Sequence, residues 1–354
     1  MKSFTRIALI VCFAAAGAWA APAFAQPDAE ELATGGTIDV GETGWEVKRP
    51  VIATACPFGC PWGELAEFVH DAMEPYGYDV VFCRNCNRGR GPGVVSTAAI
   101  PPELDELDAR TGTTYRVTAP VDFGITASGI LGGAYNGGMD NLRLIAKIED
   151  PLFLLVAVKA ETGITDLAQI RDNEMPVRIL AGGSANEVLD HYGITRADIE
   201  AWGGSVNGAM GARANAEFDV IIGDHGTPFM NPEGSHWTIL SQLHDLNFLD
   251  LPDELVDELA ERPGYEVVTT KWGLIQGMDR PIRTVARSGE VIFAREDTPE
   301  NAAYDVARAI DESRRDLMFL IRRYSIDPRT VYEDQGVPLH PGAERYYREA
   351  GYIE

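Results

Sequence analysis

Residues 50–82 read as strand, helix, strand, and this alternation limits the chain more than any other feature. "PVIATA" at 50–55 is short and β-branched, and "WGELAEFVHDAM" sets Leu65, Phe68, Val69 and Ala72 on one helical face. "YDVVF" at 78–82 is a second apolar run. A βαβ unit of this kind joins parallel strands through a crossover helix and belongs to the α/β class. Further runs at 121–126, 142–148, 152–158, 177–182 and 218–224 read as buried strands. Amphipathic stretches near 186–192, 252–261 and 299–322 read as helices. The expectation is an α/β fold with mainly parallel sheets.

The N-terminus sets the compartment. Lys2 and Arg6 precede an apolar run from Ile7 to Ala20, and the small residues Ala23 and Ala25 suit cleavage before Gln26. Residues 1–25 therefore read as an export signal peptide and the mature chain as periplasmic. The apolar run is shorter than the roughly 20 residues of a spanning helix, so a membrane-embedded chain is not expected. Val11 is too bulky to precede a lipid-modified cysteine, so Cys12 leaves with the signal. Cleavage removes Lys2 and Arg6 but no acid, which takes the formal charge from -24 to -26. Such a surface disfavours nucleic acid and anionic membranes as partners. Residues 26–45 are acidic and Gly-rich and read as a loosely held leader. The remainder, from Glu46, is longer than one core usually holds, so two lobes are expected.

In open α/β sheets a ligand sits beyond the carboxyl ends of the strands. Three turns occupy such places. The first follows strand 50–55 and contains "ACPFGCPWG". The second is "GITASG", where Thr126 and Ser128 carry hydroxyls. The third is "ILAGGSANEVLDHYG", where Gly182 and Gly183 permit a close turn, Ser184 or Asn186 can cap, and free N–H groups suit a carboxylate.

Together with the C-terminal "VPLHPGAERYYREAGYIE" (337–354), these stretches resemble the TAXI-type solute receptors, the binding subunits of tripartite ATP-independent periplasmic (TRAP) transporters. "VDFGITASGILGGAYNGG", "NLRLIAKIEDPLFLLVAVKAETGITDLAQI", "AGGSANEVLDHYGIT", "DVIIGDHGTPF" and "IQGMDRPIRTVA" carry the resemblance through most of the mature chain. It implies a type II periplasmic-binding fold, two α/β lobes with two hinge crossings near residues 157 and 281. Lobe I would then comprise 46–157 plus 281–354, and lobe II 158–280. It also implies a small solute, an amino acid such as glutamate or another carboxylate, delivered to TRAP membrane permease subunits, with no cofactor. Carried over by position, the ligand-facing residues are Ser128 and Tyr135 in lobe I, and Gly183, Ser184, Asn186, Glu187, Thr227 and Pro228 in lobe II.

The pocket departs from the family pattern. "ACPFGCPWG" stands where a Gly-rich loop would run into tyrosines, leaving Cys56, Gly59 and Trp62 as its lining candidates. "CRNCNRGRGPG" adds Arg84, Arg88 and Arg90, of which Arg88 is the chosen counter-ion for an anionic solute. Cys56, Cys60, Cys83 and Cys86 form an even set in an oxidising compartment, which points to two disulfides. Sequence does not separate the three connectivities; cross-pairing of Cys56 with Cys83 and Cys60 with Cys86 suits strands that end on one sheet edge.

The other classes find less support. The same four cysteines could hold zinc as thiolates or act as a redox pair, so an exported zinc or thiol protein is the alternative. There is no G-x-S-x-G, H-E-x-x-H or Ser-x-x-Lys signature, and His191, His225, His236, His244 and His340 are scattered, so no catalytic residue is assigned and no enzyme is expected. His225 beside Asp224 is the pair with the nearest claim to chemistry.

Overall fold

The computed structural model describes residues 37–39, 41–54, 61–83, 86, 91–99, 114–116, 119–208, 217–223, 236–270, 275–320, 324–334 and 336–354. In chain order the first part holds β1 (Thr37–Asp39), β2 (Val51–Ala53), α1 (Pro61–Met73), β3 (Val81–Cys83), α2 (Gly91–Ser96), β4 (Thr114–Arg116), β5 (Phe123–Ala127), α3 (Ser128–Asn136) and β6 (Leu142–Ile148). Then come β7 (Leu152–Phe153), β8 (Leu155–Lys159), α4 (Ala168–Asp172), β9 (Arg178–Ala181), α5 (Ala185–His191), α6 (Arg196–Ala201), β10 (Ser205–Gly208), β11 (Val220–Gly223), α7 (His236–Leu243), β12 (Leu246–Leu249) and α8 (Asp253–Ala260). The chain ends with β13 (Tyr265–Thr269), β14 (Arg283–Arg287), β15 (Glu290–Arg295), α9 (Glu300–Glu312) and α10 (Pro341–Glu349).

Two five-stranded sheets share one design. The first has the order β3-β2-β5-β15-β6 and the second β10-β9-β11-β8-β12. In the first, β2 runs parallel to β3 and β5, while β15 is antiparallel to β5 and β6. In the second, β9 runs parallel to β10 and β11, while β8 is antiparallel to β11 and β12. The sheets are thus mixed rather than mainly parallel, because in each the strand that enters after a crossing, β15 or β8, runs against its neighbours. Two such sheets joined by two chain crossings have the topology of a type II periplasmic-binding fold, the class expected from the sequence.

Both faces of each sheet are covered, which is why the strands read as unbroken apolar runs. In β2, Ile52 packs with Leu65, Phe68 and Val69 of α1, and Val51 and Ala53 pack on the other face with Val95 and Leu131. The period of two repeats in β8, where Val156 and Val158 join one cluster and Leu155 and Ala157 another.

Several boundaries differ from the sequence reading. The run 152–158, read as one strand, bends at Leu154: β7 joins β14 and β13 in a small three-stranded sheet, and β8 enters the second five-stranded sheet. Leu154 is held at the bend by its amide on Val285 O at 2.9 Å and by the Thr284 hydroxyl on its carbonyl at 2.5 Å. The leader is tied down at its far end, with β1 pairing in parallel with β4 and the Trp45 ring 5.2 Å from that of Phe123. β13 was not read as a strand because most of its residues are exposed and no apolar period marks it. The signal segment, residues 1–25, lies outside the described residues.

The crossings pack backbone on backbone. A Cβ on Gly289 would lie 1.7 Å from Ile148 O and 2.6 Å from the Asp150 amide, so no side chain fits where the segment before β15 passes the end of β6. Gly133 in α3 has open space instead. Gly289→Ala should therefore lower the unfolding free energy in urea by about 1–3 kcal/mol, whereas Gly133→Ala should leave it unchanged or raise it by up to about 1 kcal/mol.

Candidate functional site

The parallel strands of the first sheet end at Ala53, Cys83 and Ala127, and those of the second at Ala181, Gly208 and Gly223. The turns beyond these ends are where such a fold places a ligand. Cys56, Gly59, Cys60, Arg84, Arg88, Arg90, Asp224, His225, Thr227 and Pro228 lie outside the described residues. The turns after β5 and β9 are described, and they carry Ser128 and the segment Gly183 to Glu187.

Ser128 opens α3 and is fully buried. Its hydroxyl donates to the carboxylate of Asp334 through a short hydrogen bond, its amide donates to Gly289 O at 3.1 Å, and the Ser288 hydroxyl lies 3.1 Å from its Oγ. Ser288 also reaches the second part of the chain, with its amide 2.8 Å from Gly264 O. Asp334 is only 5% exposed, and its Oδ2 has no hydrogen-bond partner among the described residues. Burial pushes this carboxyl up to about 6, against the opposing pull of the Ser128 hydrogen bond and of Lys147.

Ser184 mirrors this arrangement in the second sheet. It occupies the position before α5 and is fully buried, yet its side chain does not cap the helix. Its hydroxyl lies 3.0 Å from the Tyr265 hydroxyl and 3.3 Å from Arg262 Nη1. Arg262 Nη1 also reaches Glu187 Oε1 at 2.6 Å, and the guanidinium sits 5.1 Å from the centre of the Tyr265 ring. Gly183 has φ 54°, a left-handed value that lets the chain turn sharply between β9 and α5.

One turn joins the two groups. The segment between α8 and β13 presents Arg262 to Ser184 and Glu187, and Gly264 to Ser288. Its neighbour across the junction is Gly129, where a Cβ would lie 2.3 Å from Pro263 O; one on Gly264 would lie 2.5 Å from Gly129 Cα. Only glycine at both positions lets the start of α3 meet this turn. The structure thus brings Ser128 and Ser184, read separately from sequence, to opposite sides of one short turn, with both hydroxyls engaged by protein groups.

The other sequence candidates fall in different settings. Asn186 and Gly183 are exposed on the α5 turn, and Glu187 is half-buried against Arg262. Tyr135 is a half-buried ring packed on the cluster that holds Val95 and Leu131, and Trp62 packs on the opposite face of the first sheet with the α1 cluster. His340 is a buried residue that opens α10, its Nδ1 accepting from the Gly342 amide at 3.1 Å.

Cys83 and Cys86 correct the expected cross-pairing, for they are bonded to each other across a turn, with Cα atoms 5.6 Å apart. Both are nearly fully buried in the cluster with Val95 and Leu131. The two cysteines are only three residues apart and are buried in one apolar cluster, so each has a partner at hand in its own stretch of chain. That bond also removes two of the four thiolates a zinc site would require.

Sequence reading missed Asp334, Ser288 and Arg262. The signal for the first two was faint, since an acid or serine in a polar loop is ordinary.

A family model described as the NMT1-like family matches residues 120–351. Among solved structures, the periplasmic binding protein BugD is similar over 78% of this chain and 88% of its own, at 10% identity and a TM-score of 0.42. A TctC solute binding protein from Polaromonas is similar over 86% of this chain and 98% of its own, at 12% identity and a TM-score of 0.45. MatC from Rhodopseudomonas palustris, solved with bound malate, is similar over 86% of this chain and 97% of its own, at 14% identity and a TM-score of 0.40.

Two outcomes follow from the geometry. Alkylation of the denatured, unreduced protein and peptide mass analysis should find Cys83 and Cys86 joined within one peptide; a link from either to Cys56 or Cys60 would refute the pairing. Asp334, with its carboxyl raised when folded, holds its proton more tightly folded than unfolded, so its contribution is fully present below about pH 4 and lost as pH rises through about 6. A two-unit rise corresponds to on the order of 3 kcal/mol. Asp334→Asn keeps an acceptor for Ser128 and should be more stable than the parent at pH 7.5 by about 1–3 kcal/mol, with the difference vanishing at pH 4, as read by urea titration at each pH.

Proposed function

The chain belongs to the NMT1-like family, and on that premise we propose that it is an extracytoplasmic solute receptor of the TAXI type. It closes two lobes on a small carboxylate or amino acid and hands the solute to the membrane subunits of a TRAP permease. The observation that carries this reading is the meeting of two helix starts, at Ser128 and at Ser184, around a single turn at the carboxyl edges of two like-ordered sheets. A junction so placed would change shape if one sheet moved against the other.

The two lobes follow the core clusters. Residues from Ile52 to Ile148 and from Ile292 to Tyr347 share one cluster, and residues from Leu154 to Val285 share another. We place the crossings between these limits, at 149–153 and 286–291, slightly outside the positions near 157 and 281 read from sequence. Export fits this role: among the described residues no helix is long and apolar enough to cross a membrane, and residues 1–25 have the pattern of a cleaved signal.

Thermal denaturation of the purified mature protein against dicarboxylates and L-amino acids tests the reading. A solute present at a hundred times its dissociation constant should add about 2.7 kcal/mol to stability and raise Tm accordingly. Absence of any shift across both classes, together with zinc released on denaturation, would replace the receptor by the exported zinc protein.

A further inference from the structure

We infer that Arg262 and Glu187 together read the charge of the solute, and that they select a zwitterion, a carboxylate with an ammonium group close by, over a dianion. The inference rests on the receptor reading and names the chemistry of that same site. Arg262 belongs to none of the three turns in which the sequence suggested ligand contacts, yet the fold sets it between two of them. Its turn abuts Gly129 at the start of α3 on one side, and its guanidinium meets Ser184 and Glu187 at the start of α5 on the other.

Three contacts fix the guanidinium before any solute arrives. The Ser184 hydroxyl at 3.3 Å and the Glu187 carboxylate at 2.6 Å both engage Nη1, and the Tyr265 ring lies beneath the group at 5.1 Å. A guanidinium has five donors, so the Nη2 and Nε edge keeps the fork geometry that suits a carboxylate. The pair remains reachable, with side-chain exposures of 40% for Arg262 and 39% for Glu187. Pre-ordering of this kind reduces the entropy lost when a solute docks.

Glu187 decides what may accompany the carboxylate. An anion that docks on Arg262 comes close to the Glu187 carboxylate, and a second negative charge on the solute would be repelled. An ammonium group on the carbon next to the carboxylate would instead face Glu187 as Arg262 does, and complete an alternating set of charges. An α-amino acid places its two charges at this spacing. The arrangement acts by rejection as much as by attraction, since without Glu187 the arginine alone would accept either class.

The test uses the full mature protein with the standard L-amino acids, succinate, L-malate and n-butylamine as probes, in thermal denaturation and isothermal titration calorimetry. Parent protein should be stabilised by one or more amino acids and by neither dicarboxylate nor the amine. Glu187→Gln should weaken amino-acid binding by about tenfold or more and allow a dicarboxylate to bind, while Arg262→Lys, which keeps the charge but loses the fork, should weaken every carboxylate. Circular dichroism and the unliganded Tm confirm that each variant is folded. A dicarboxylate that binds the parent, or amino-acid binding unchanged in folded Glu187→Gln, overturns the selection by charge and leaves the receptor reading standing. Stabilisation by none of the probes overturns both.

Discussion

The rest of the molecule depends on the place where the two chain crossings lie against one another without side chains between them. Gly289 rests on the carbonyl of Ile148 and the amide of Asp150, and from that contact β15 enters the first sheet between β5 and β6. Neither crossing can slide without moving the other. The amide of Ser128 bonds to Gly289 O, and Ser288 bonds to Gly264 O, so the start of α3 and the turn before β13 are located by the same few atoms. A backbone contact of this sort has no rotamers to relax, and a change at Gly289 is transmitted rather than absorbed.

Around this contact runs a buried polar chain, Asp334 to Ser128 to Ser288, that reaches from the C-terminal segment through the start of α3 to the segment before β15. Buried polar groups are costly unless paired, and most of these are paired with one another. The hydroxyls of Ser128 and Ser184, which by position alone suit a solute, are occupied in holding protein to protein. The groups that stay reachable beside them are charged: Arg262 and Glu187. Neutral hydroxyls thus lie inside, and a charge pair lies at the surface. Burial explains the division, since a buried charge pair would have to recover a large desolvation cost that a rim pair largely avoids.

The first sheet's cysteines show where local sequence misleads. Strands 50–55 and 78–82 do lie side by side, in parallel and in register from Val51 with Val81 to Ala53 with Cys83. Adjacency of the strands led to cross-pairing of the loops. Cys86, however, is buried in the same apolar cluster as Cys83, and the two, three residues apart, are paired. Proximity along the chain competes with proximity across the sheet, and spacing in sequence does not say which prevails.

What the sequence determined by itself was the periodic part of the structure. Apolar runs fixed β2, β5, β6, β9 and β11 to within a few residues, and the helical faces of α1, α5, α8 and α9 followed, because burial on both sides of a sheet or one side of a helix imposes a period that can be read locally. The turn residues Ser128, Gly183 and Ser184 were legible for the same reason, as the ends of readable strands, whereas Glu187 came only from the family resemblance. Tertiary structure alone decided the bend at Leu154, the role of Gly289, the burial of Asp334 and the position of Arg262. Each depends on a contact between residues more than a hundred positions apart, or on a turn with no period of its own. Leu154 meets Val285, Asp334 meets Ser128, and Gly289 meets Ile148. Arg262 is charged and half-exposed, like many surface arginines, and only the convergence of two helix starts on its turn distinguishes it. Such meetings arise from how two separately readable halves dock, and that docking leaves no repeat in the sequence.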